Sequence, residues 1–246
     1  MSNTIVIGSA ELAAALKASL LVTKTVASTP SLKGVHLSTS TENLLLTATD
    51  RYILMRTAVP DTSGDALTPG DIGVVSEDYV KSLLKVLPTR PTAVALSVEE
   101  EEESTLSVHI VGGARLEIKL SPSHQFPTQA VHLFRHDSIA NAPHFAKDAA
   151  VREGTSPVIE LDASKGATVY KMFELLGWQS VRSAFQRTRN SVGGVTTYFV
   201  GGRENLTKAK RSTGFPLPAM VAVMGMNPKK DSQDDDPEMP YAELDI

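Results

Sequence analysis

The feature that most constrains this chain is an internal repeat of element order. "TIVI", residues 4–7, has the apolar run of a strand, and the Ala- and Leu-rich stretch from Ser9 to about Leu21 reads as a helix with Ser9 as a plausible N-cap. "GVHLSTS", "NLLLTATD" and "YILMRTAVP" follow as three strand-length windows separated by turn residues. After a loop rich in Gly, Pro and Asp (60–70) the order restarts. "IGVVS" is a strand, Ser76 caps the helix "EDYVKSLLKVLP", and Pro88 ends it. "TAVALSV", "TLSVHIVGG" and "ARLEIKLSP" complete the second round. Residues 4–121 therefore hold strand-helix-strand-strand-strand twice. Either half is too small to bury its helix face alone. Two halves side by side predict an α+β domain of repeated β-α-β-β-β half-modules, with helices packed on antiparallel sheets.

A further copy follows. Val-Gly-Gly and Phe-Pro both recur 89 residues on, and so does the helix stripe Val80, Leu83, Leu84, Leu87, as Val169, Met172, Phe173, Leu176. Three features in one register amount to a duplication. Only 29 residues, 128–156, separate the copies, with room for "AVHLF" as a strand and "PHFAKDAAV" as a short helix. The chain reads as three full half-modules and one abridged one, with domains over 1–125 and 126–228 and an acidic tail over 229–246. The tail's composition is that of a segment with little to bury, and its "YAELDI" is a candidate docking segment.

Charge is unevenly placed. The formal net charge is −4, but Glu99 to Glu103 and the stretch from Asp231 to Asp245 hold 12 of the 28 acidic residues. The rest of the chain sets 24 basic against 16 acidic side chains and is net positive. The absence of cysteine removes disulfides, thiolate zinc sites and thiol catalysis, and fits a reducing compartment. Glu11 and Lys17 interrupt the first apolar run, which resembles neither a signal peptide nor a membrane span. A cytoplasmic protein that avoids membranes is expected.

No catalytic constellation stands out. The six histidines are scattered, with no metal-ligand spacing, no Gly-rich phosphate loop and no nucleophile elbow. The two Gly-Gly pairs read as hairpin corners. Asp50, in "LTATDRYIL", has no partner in sequence to make it an acid or base, so the structural reading is that it accepts turn hydrogen bonds. An enzyme built on Asp50 is the least favoured option. No cofactor or metal is expected.

"LLLTATDRYILM" and the element order resemble the DNA polymerase sliding clamps, specifically the bacterial polymerase III β subunit. "FPTQAVHL" (126–133) resembles that family's linker between domains. "AMVAVMGM" (219–226) resembles its C-terminal Val-Met-Pro-Met strand, with Gly225 in place of proline. The resemblance implies a non-enzymatic processivity factor, a ring that encircles duplex DNA without reading sequence. It implies a DNA polymerase and an ATP-using clamp loader as partners. Bacterial clamps have three domains per chain and this one has room for two, so a homotrimer, six domains in all, is the expected ring.

Under this resemblance the basic side chains acquire a role, since phosphate attraction without base contact permits sliding. The DNA-binding candidates are Lys17 and Lys24 by the first helix, Arg51 at the corner, Lys81 and Lys85 on the second helix, and Lys171 on the third. Lys165 lies before the regular part of that helix, where plain solvation is the simpler reading, as it is for helix lysines in general. The resemblance also implies a hydrophobic pocket for partner peptides, carried by Pro127, Val131, Leu133, Val223 and Met224, whose plainer reading is core. The rival from another class is a clamp-fold interaction protein that binds a polymerase or a host clamp without encircling DNA.

Overall fold

In the computed structural model, the described residues are 4–23, 32–100, 104–127, 163–187, 195–204 and 216–224. The first half-module consists of β1 (Ile5–Gly8), α1 (Ser9–Thr23), β2 (Gly34–Thr39), β3 (Asn43–Thr49) and β4 (Ile53–Pro60). The second consists of β5 (Gly70–Ser76), α2 (Glu77–Val86), β6 (Ala93–Glu100), β7 (Ser104–Ile110) and β8 (Arg115–Lys119). The C-terminal group is α3 (Ala163–Leu175), β9 (Trp178–Arg187), β10 (Val195–Glu204) and β11 (Ala219–Met224).

The first two half-modules exchange their opening strands. β1 pairs with β6, so the four-stranded sheet runs β1-β6-β7-β8, while β5 pairs with β2. Each half thus completes the sheet of the other. β4 then pairs antiparallel with β11, giving a seven-stranded sheet in the order β5-β2-β3-β4-β11-β10-β9. One continuous sheet therefore joins the N-terminal repeat to the C-terminal group.

Three helices lie in a row on this sheet. α1 packs on β2, β3 and β4, with α2 on one side of it and α3 on the other. Being central, α1 buries nearly its whole circumference, and Lys17 is its one exposed residue. Its alanines let neighbouring helices approach closely, which explains a helix without the usual polar face. α2 and α3, at the flanks, are amphipathic, burying Val80 and Leu83, and Val169, Met172 and Phe173. Together with Ile5, Leu46, Leu96 and Val221 these residues belong to a single apolar core that spans both sheets.

Local details refine the sequence reading. Ser76 caps α2 as expected, its hydroxyl accepting from the Tyr79 N–H. Ser9 does not act as a cap. It is the first residue of α1, and its hydroxyl accepts from the Thr92 N–H at 3.1 Å and donates to the Arg90 carbonyl at 3.2 Å, tying α1 to the strand that follows α2. Gly112 and Gly113 form a hairpin corner, but Gly201 and Gly202 do not, because they lie within β10. At Gly201 the Trp178 ring occupies the place where a side chain would stand. The expected "AVHLF" strand, the "PHFAKDAAV" helix, and the tail lie outside the described residues.

Candidate functional site

The corner between β3 and β4 is built by Asp50. Its carboxylate accepts from the Tyr52 N–H at 2.9 Å and the Ile53 N–H at 2.6 Å, and the Asp50 N–H donates to the Ile53 carbonyl at 3.1 Å. Arg51, between them, is held at φ +80, a left-handed conformation that costs a non-glycine residue, and its N–H donates to the Thr49 hydroxyl at 3.2 Å. Asp50 is scaffold, as its spacing indicated.

What lies against that corner comes from far along the chain. The Lys165 ammonium, from the first turn of α3, donates to the Asp50 carboxylate at 2.9 Å across 115 residues. The Asp50 side chain is 2% exposed and that of Lys165 22%. The same ammonium lies 4.9 Å from the centroid of the Tyr52 ring, a cation–π contact. Tyr52 itself is 59% exposed. On the other side of the corner Ile53 pairs with Val223, and Thr57 and Ala58 both donate to the Pro218 carbonyl, at 2.9 and 3.1 Å. The seam between β4 and β11 is therefore closed by strand pairing, by a largely buried ion pair, and by one doubly used carbonyl. Lys165 shows no signal in the one-dimensional pattern because its partner is distant in sequence.

The peptide-pocket residues expected together are only partly comparable. Val223 lies at the seam beside Ile53 but is 1% exposed, so its side chain is core. Met224 ends β11 next to it, opposite Thr196. Pro127 is exposed and follows Phe126, whose ring stacks on His36 of β2 at 5.2 Å between centroids. β3 and β4 stand between β2 and β11, so Phe126 and Val223 are separated by three strand spacings, roughly 14 Å. Val131 and Leu133 lie outside the described residues.

The basic candidates distribute over the helix layer. Lys17 on α1, Lys81 and Lys85 on α2, and Lys171 on α3 are all exposed. Lys81 pairs with Glu77 one turn earlier at 2.6 Å, and this hydrogen bond raises its pKa. Lys171 pairs with Glu174 at 2.8 Å. Arg51 sits at the seam corner rather than on a helix. Lys24 lies outside the described residues. No group of His, Asp and Glu suited to a metal ion occurs among the described residues, and no helix among them is long and apolar enough to cross a membrane.

Among solved structures, the chain is similar to the DNA polymerase III subunit β from Pseudomonas aeruginosa, with 15% identity over 92% of this chain and 66% of that one (TM-score 0.47). The C. crescentus β sliding clamp gives 15% identity, 92% and 65% coverage and a TM-score of 0.48. The DNA polymerase III β subunit of Thermotoga maritima gives 13%, 97%, 68% and 0.48. The chain thus spans about two thirds of the length of these clamps. No curated protein matches it. The family model for the N-terminal domain of the DNA polymerase III beta subunit matches residues 4–130, just over half of the chain, and covers both strand-exchanged half-modules. The chain belongs to the DNA polymerase III β subunit family.

Proposed function

We propose that this protein is a processivity clamp, a non-enzymatic ring around duplex DNA that tethers a DNA polymerase. The observation that carries the reading is the helix layer. Three helices side by side turn Lys17, Lys81, Lys85 and Lys171 outward, as a surface that meets phosphate without reading bases requires. The two carboxylates that engage Lys81 and Lys171 do not remove this capacity, because solvent-exposed ion pairs on a helix are weak and yield to a closer anion. The ring is a homotrimer of two-domain chains (1–125 and 126–228), opened by a clamp loader, in the cytoplasm. Partner peptides bind at the Tyr52 corner beside the end of β11, where Val223 backs the site from the core and Met224 closes the strand, with Pro127, Val131 and Leu133 assigned to the same apolar site by the linker resemblance.

The pairing of Lys81 and Lys171 with neighbouring acids favours one second reading, a clamp-fold adaptor that binds a polymerase without encircling DNA. Retention on DNA separates the two. After loading, a ring stays on nicked circular plasmid in 0.5 M salt and slides off once the plasmid is linearised. Loss from both DNA forms at the same rate rejects the ring. In the ring reading, the double substitution Lys81→Glu and Lys85→Glu lowers loading several-fold.

A further inference from the structure

We propose that the acidic segment Asp231–Asp245 docks on the corner formed by Arg51, Tyr52 and Lys165 of its own chain, and there competes with partner peptides. The inference rests on the reading of that corner as the partner site, and adds its regulation. Three observations support it. First, position: β11 runs antiparallel to β4 with Val223 opposite Ile53, so the chain leaves β11 beside the corner. Ten residues lead from Met224 to Asp234, a reach of up to about 33–36 Å when extended, which is ample.

Second, charge. The segment holds seven carboxylates. The corner carries the Arg51 guanidinium and the Lys165 ammonium, and its own carboxylate, Asp50, is buried and accepts from two backbone N–H groups and from Lys165. Third, the apolar match. Met239, Tyr241 and Leu244 are interleaved with the acids, and the Tyr52 ring is the open aromatic surface at the corner. A tethered segment acts at an effective concentration of about 1 mM. A contact with a Kd of only ~0.1 mM then fills the corner about nine-tenths of the time and weakens an outside peptide about tenfold.

The test uses a fluorescently labelled synthetic peptide of residues 231–246, titrated by anisotropy with the full chain and with a full-chain variant carrying Asp234→Asn, Asp235→Asn, Asp236→Asn and Leu244→Ala. The variant's own segment no longer competes, so it binds the peptide about tenfold more tightly than the unaltered chain does. Adding Arg51→Glu and Tyr52→Ala to the variant abolishes binding, whereas adding Lys81→Glu and Lys85→Glu leaves it unchanged; circular dichroism checks that each variant is folded. Equal affinity for the two chains, no binding to either, or loss through the helix lysines rather than the corner overturns the proposal. The assay contains neither DNA nor polymerase. A peptide that fails to bind, alongside intact retention on circular plasmid, removes the self-docking and leaves the clamp standing.

Discussion

Lys165 is the residue whose role depends most on the fold. Removing its ammonium takes the charged partner from the buried Asp50 carboxylate and cuts the link between α3 and the β3–β4 corner. Breaking a buried pair from one side costs about 3–5 kcal/mol, and the partial exposure of Lys165 and the remaining N–H donors place this one at the low end. Lys165→Met should lower unfolding stability by about 3 kcal/mol in urea titration, and Asp50→Asn by less, because the amide oxygen still accepts from the corner. An unchanged urea midpoint for Lys165→Met contradicts the strut. His36 offers a second residue-scale test. It is 3% exposed beneath Phe126, and burial holds its pKa below the ordinary 6.5; Asp71, 3.5 Å away on β5, pulls it up in part, and Arg56 on β4 pushes it down. The unfolded chain therefore takes up the proton first as pH falls. The stability held by neutral His36 is complete above pH 6.5 and drains away below it, toward the lower folded pKa. The urea midpoint should drop between pH 7.5 and 5.5, and His36→Gln should flatten that slope; an equal slope in both proteins contradicts the assignment.

At the scale of elements, much was legible. The stripes at i, i+3, i+4 and i+7 placed α2 and α3, and Val169, Met172 and Phe173 are fully buried. Alternation and turn residues placed β2 to β8. The exchange of β1 and β5 was not legible, because an antiparallel partner leaves no trace in either strand's own pattern. The nature of Gly201 was missed for a similar reason. Two adjacent glycines signal a turn locally, yet Gly201 is glycine because the Trp178 ring, fixed by its N–H donating to the Leu217 carbonyl at 2.9 Å, fills the space above it. Gly201→Ala should therefore destabilise by about 1–3 kcal/mol, the range for forced overpacking, and shift the fluorescence of the single tryptophan. A neutral substitution with an unchanged spectrum contradicts that packing. The candidate site divided along the same line. Asp50 as scaffold could be read from its neighbours, but its bond to Lys165 and the seam position of Val223 depend on contacts more than a hundred residues apart.

For the whole molecule, the β4–β11 pairing and the row of three helices join the half-modules through one seven-stranded sheet, with Lys17, Lys81, Lys85 and Lys171 exposed on the helices. In the proposed ring, sheet edges of one copy would join those of the next, a geometry that closes only for the right copy number. The most direct test of the central claim is the native mass of the full chain by sedimentation equilibrium across a concentration series. The account predicts a species near three times 26.3 kDa that persists on dilution. A monomer at every concentration, remaining so in the presence of circular DNA and a loader, contradicts it.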